Sequence, residues 1–123
     1  IRSLSKDDFN NGRVHGPQVE IESAPGESGY IYSEGTGRGW ITKQQPVKDA
    51  YQNGKWNRFV VRANGDRIQT WVNGTQVSNL ADKEKHKSHP KGFIGLQVHS
   101  IKKGSGPYEV AWKNIKIKEL GEK

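Results

Sequence analysis

From Phe93 to Ile101 apolar and polar residues alternate with period two, as they do on a strand with one buried face. Ile94, Leu96 and Val98 share one side; Gly95, Gln97 and His99 share the other. Solvated strand faces usually carry Lys, Glu and Thr. A glycine, an amide and an imidazole look instead like the floor of a groove, where the glycine lets a ligand approach the backbone. The pattern predicts a central strand here, with the other strands supplying walls.

Those other strands announce themselves in the same way. Ile1–Leu4 reads as the end of a strand, and Ser5–His15 as a polar loop whose Asp7, Asp8, Asn10 and Asn11 lack calcium-loop spacing. After Gly16-Pro17, Gln18–Ser23 places Val19 and Ile21 on one face, with Gln18, Glu20 and Glu22 on the other. A turn at Pro25-Gly26 leads into Tyr30–Tyr32 and predicts a hairpin. Gly35–Trp40 is rich in glycine but lacks phosphate-loop spacing, so it reads as a loop presenting Arg38 and Trp40. Gln44–Lys55 is a polar connection.

Two Asn-Gly pairs, at 64–65 and 73–74, predict type I′ turns. They join Trp56–Ala63, Arg67–Val72 and Thr75–Leu80 into a meander. Ile68, Thr70 and Val72 then share one face, while Gln69, Trp71 and Asn73 share the other. The turn accounts for Asn73-Gly74-Thr75 without its glycosylation meaning. Ala81–Gly92 reads as a charged loop with exposed His86 and His89; His15 reads as exposed too. The last strand, Tyr108 to about Leu120, changes phase and needs a bulge near Lys113-Asn114. Ile94, Leu96 and Val98 are expected to pack on Val19, Ile21, Ile68 and Val72. The expected fold class is all-β, an antiparallel β-sandwich of one domain over residues 1–123.

Composition adjusts this picture modestly. Hydrophobic residues make up 31% of 123 positions, and mean hydropathy is −0.93, yet the apolar residues fall in alternating runs, which argues against disorder. No apolar run is long enough to span a bilayer as a helix. The net charge of +7 attracts polyanions in general. The lysines are dispersed, however, and read as a solvated surface rather than a nucleic-acid site. The absence of cysteine removes disulfides and thiolate metal sites. A chain opening on Ile, with no Met, does not begin at a translation start. A leader or larger piece is therefore expected before it, with a periplasmic or secreted location in bacteria.

Several segments together resemble the 3-keto-disaccharide hydrolase domain family, which has a concanavalin-like (laminin-G-like) jelly roll. They are Gly16–Glu22, Gly29–Tyr32, Gly35–Trp40, Trp56–Arg58, Ile68–Gly74, Gly92–His99 and Trp112–Leu120, in family order; GFIGLQVH and NIKIKEL are the most specific. The resemblance implies cleavage of 3-keto-glycosides. It also implies that this chain is the C-terminal part of a larger jelly roll, lacking N-terminal strands. The missing part of the same domain is then an expected partner.

In such a sandwich the wet face offers a carbohydrate site. Trp40 and Trp71 would stack on a sugar ring, with Gln18, Arg38, Gln69 and Gln97 binding its hydroxyls. Glu20, with Glu22 as the alternative carboxylate, and His99 are the candidate catalytic acid and base, since imidazole titrates near neutral pH and burial raises a carboxylate. Glu20 and His99 are alternatively ligands of a divalent metal ion, the one cofactor the residues suggest. A second function stays open: a non-catalytic carbohydrate-binding module using Trp71, Trp40 and Gln97 alone.

Overall fold

The computed structural model describes residues 1–24, 26–47 and 49–121; Pro25 of the expected turn lies outside them. Among the described residues the protein is mostly β, with two antiparallel three-stranded sheets, a single 3-10 turn at Asn10–Gly12 and one short α-helix. The first sheet contains β1 (Gly16–Val19), β2 (Ile31–Glu34) and β3 (Gly39–Trp40), in that order. The second contains β4 (Phe59–Asn64), β5 (Arg67–Val72) and β6 (Thr75–Ala81). Helix α1 (Lys83–Ser88) follows β6. Among the described residues no helix is long and apolar enough to cross a membrane.

The second sheet is the predicted meander, and turn chemistry explains its register. Val72 pairs with Thr75, so Asn73 and Gly74 form a two-residue loop, both with positive φ (49° and 83°), as a type I′ turn requires. The Asn73 side chain braces this turn. Its amide nitrogen donates to Ala50 O (2.7 Å) and Asn57 Oδ1 (2.8 Å), and its oxygen accepts from Arg58 N (2.8 Å). The other hairpin sits one residue later than its Asn-Gly pair suggests. Asn64 pairs with Arg67, making Gly65-Asp66 the loop, and of those two only Gly65 has positive φ, at 57°.

The inner faces meet along a seam that is part apolar and part hydroxyl. Ile31 and Val72 are fully buried, with Ile68 close behind, and each contributes about 1.5–3 kcal/mol by leaving water. Beside them, Thr70 Oγ1 (2.6 Å) and Ser78 Oγ (3.2 Å) both donate to Gly29 O. Thr42 Oγ1 accepts from Ile31 N (2.8 Å) and lies 3.1 Å from Ser78 Oγ. A chain short of large apolar residues thus fills its interior with small hydroxyls whose polar atoms are satisfied. Gly29 permits this closeness: with φ +84°, a Cβ there would stand 2.8 Å from Val72 Cγ2.

Three expectations are corrected. Phe93–Ile101 joins no sheet: Phe93 forms an isolated bridge with Ser3, and Ile94, Leu96 and Val98 are 51–74% exposed. Alternation marks a strand's faces, but a strand needs a laddered neighbour before anything covers the apolar one. Ile31 therefore takes the core position expected of that segment, while Val19 is half-buried and Ile21 exposed. Tyr108–Leu120 likewise has no ladder partner among the described residues, although Asn114 adopts φ 55° where the apolar phase changes. Finally, the 83–88 loop is helical. Asp82 caps it by accepting from Lys85 N (2.9 Å), as N-terminal Asp residues do.

Candidate functional site

The outer face of the first sheet gathers much of the predicted chemistry. Gln18 pairs with Tyr32, and Tyr32 with Trp40, so the three form one row across the sheet. The Tyr32 and Trp40 rings meet edge-on at 5.2 Å between centroids. Two residues past Gln18, Glu20 continues the pairing: its N–H donates to Tyr30 O and its carbonyl accepts from Gly29 N. The Gln18 amide donates to the Glu20 carboxylate. Tyr32, which carries this row, escaped the sequence reading; its alternation with the buried Ile31 and Ser33 was the available signal.

Glu20 is half-buried, and that burial pushes its carboxyl above the ordinary range. The Glu22 and Glu27 charges push the same way, against the bonds from Gln18 and Ile21 N–H. Glu22 is held below the ordinary range instead, first by the Ser23 hydroxyl and N–H and further by the charge of His99. His99 therefore acts electrostatically on Glu22, while its Nδ1 lies 2.8 Å from the carbonyl of its own neighbour, Ser100. Both His99 and Gln97 are exposed.

Two predicted members lie elsewhere. Gln69 and Trp71 alternate with the inward Ile68, Thr70 and Val72, on the face of β5 turned away from Gly29 and the first sheet. Their neighbours across the ladder are Arg62, Val60, Asn79 and Gln76. The sandwich core thus separates Trp71 from Trp40. The parity of each strand was legible in sequence, but which sheet it joined was not. Arg38, at the β2–β3 turn, donates to Asp82 Oδ2 at 2.7 Å, which fastens its loop to α1. A cavity of about 160 Å³, lined in part by Tyr30, Pro46, Val47 and Tyr51, contains none of the predicted residues.

Histidines expected in solvent are also buried. His15 and His89 are only 5% and 4% exposed, because bridge pairing of His15 with Leu4 and the end of α1 bring the rings together. Neighbouring Lys85 is buried as well. It donates to Ser33 Oγ (2.7 Å) and Thr36 Oγ1 (3.1 Å), and burial holds its ammonium below the usual range.

The sequence model of the family described as the 3-keto-alpha-glucoside-1,2-lyase-like domain matches residues 1–118. The chain belongs to that family. No curated protein matches it. Within the family match lie both the Gln18–Glu20 segment and the His99 segment. Among the described residues no three His, Asp or Glu side chains converge as a metal centre.

Proposed function

We propose that this domain cleaves 3-keto-glycosides, 3-keto-disaccharides among them, at the outer face of the first sheet. The reading is carried by a half-buried carboxyl, Glu20, beside an amide and an aromatic pair, in a chain whose family description names a 1,2-lyase. The sugar ring stacks on Trp40, and Gln18 binds its hydroxyls. A ketone at C3 acidifies the proton on C2. Glu20, as carboxylate, takes that proton; the C2–H electron pair becomes the C1–C2 double bond, and the C1–O bond breaks. The departing oxygen receives a proton from His99, which moves in from the flanking 93–101 segment. Addition of water across the new double bond converts elimination into net hydrolysis. The gain over solution chemistry comes from positioning and from a base raised toward neutral pH.

The test is turnover of a 3-keto-disaccharide, followed by release of the reducing sugar. Glu20→Gln should lower kcat by about 10²–10⁴-fold, the usual worth of a positioned base, and His99→Ala should lower it less for substrates with good leaving groups. Turnover indifferent to both substitutions rejects these assignments.

The outer face of β5 favours a second reading, a carbohydrate-binding module. Trp71 stands there with Gln69 and Gln76, and no carboxylate or imidazole lies opposite it in the ladder. Sugar binding abolished by Trp71→Ala, without turnover of any 3-keto substrate, supports that alternative.

A further inference from the structure

The buried histidine pair is not part of the proposed chemistry, yet its hydrogen bonds are specified closely. His15 Nδ1 lies 3.0 Å from Arg13 O; a carbonyl only accepts, so that nitrogen carries the proton. Ser88 Oγ donates to Lys85 O (3.2 Å) and lies 2.8 Å from His89 Nδ1. One hydroxyl proton cannot serve both bonds, so when Ser88 donates to the carbonyl, His89 Nδ1–H is the donor in the second. In either tautomer His89 Nε2 is buried with no hydrogen-bond partner among the described residues.

Among the described residues, the ionisable groups that act on this ring are basic. From α1 comes Lys85, and from the N-terminal loop come His15 and Lys6. The His15 ring meets His89 edge-on at 5.2 Å, with Phe9 stacked behind it at 4.0 Å. The carboxylate on this helix's N-cap, Asp82, is already held by Arg38 and Lys85 N. A proton on Nε2 would create a buried cation among cations with no acceptor, which is costly.

We propose that the His15–His89 contact is an acid-sensitive latch, whose protonation releases α1 from the first sheet. The latch matters for the sheet because α1 holds two of its parts. Lys85 ties down Ser33 and Thr36, and Asp82 ties down Arg38. Opening therefore loosens the 35–39 loop that leads into Trp40. Burial foremost, then Lys85, His15 and Lys6, lower the His89 pKa from 6.5 to about 4. A base depressed in the closed state keeps it shut above pH 6.5, and the stabilisation is lost as pH falls from there toward 4. That difference favours opening by about thirtyfold at pH 5 relative to pH 7.5.

The experiment is amide hydrogen exchange on the full chain between pH 7.5 and 5, corrected for intrinsic rates. The probes are His86 and His89 N–H, which bond to Asp82 O and Lys85 O; β5 amides are the control. Protection at the two probes should fall about thirtyfold while β5 stays protected, and in His89→Phe it should stay flat. Lys85→Met, which removes one repelling charge, should give a smaller fall, and serves if His89→Phe misfolds. The ring resonances of His89 should show a midpoint near 4. Flat protection in the wild-type chain overturns the latch. So does loss of β5 protection in step with α1, or a His89 midpoint near 6.5.

Discussion

At the scale of single residues, Glu20 carries the clearest opposition between stability and function. Its carboxyl is raised by burial and by two like charges, so the folded state disfavours the ionised form. The associated stability is present below the ordinary glutamate range and is lost as pH rises through the raised value. Glu20→Gln should therefore raise Tm at pH 7, with the gain vanishing near pH 4, while turnover falls. Calorimetry of both proteins at the two pH values checks the sign. A Tm loss at pH 7 would mean the carboxylate is held by favourable bonds. Gly29 gives a purely structural prediction. Gly29→Ala adds a Cβ at 2.8 Å from Val72 at a positive φ, and should cost about 2 kcal/mol or more in urea unfolding. Thr70→Val should cost about 1 kcal/mol, since Gly29 O keeps Ser78 as a donor.

At the scale of elements, short-range signals were legible and long-range ones were not. The Asn73-Gly74 turn and the inward set Ile68, Thr70, Val72 follow from chemistry within a few residues, and all stand in the structure. The candidate face was half legible. Alternation put Gln18 and Glu20 together, but nothing local says that Trp71 belongs to the other sheet or that Glu22, rather than Glu20, feels His99. Nor could loop position reveal that His15 and His89 are buried, because their burial depends on residues more than 70 positions apart in the chain. Phe93–Ile101 has the strongest strand pattern of all, yet period two records only which side is apolar, and its partner has to be supplied by other segments. Hydrogen exchange should separate these cases. Amides of β5 should be the slowest, and those of 94–101 should exchange at nearly open-chain rates. Strong protection across 94–101 would mean the segment is laddered in solution.

At the scale of the whole molecule, a chain of net charge +7 carries a carboxylate-bearing face on its first sheet, with Glu20 and Glu22 near Glu27 and Glu34 bridged to Arg13 at 2.7 Å. Excess positive charge therefore does not describe the candidate site, which suits a neutral sugar better than a polyanion. Two opposed outer faces offer a tryptophan with amides: Trp40 with Gln18, and Trp71 with Gln69. Only the first carries a carboxyl raised by burial, Glu20. The most direct test of that distinction is an NMR titration of the ¹⁵N-labelled chain with a 3-keto-disaccharide. The account predicts shifts concentrated at Gln18, Glu20, Tyr32 and the Trp40 indole, with Gln69 and the Trp71 indole unmoved. Shifts confined to Gln69, Trp71 and their β4 and β6 neighbours would contradict it.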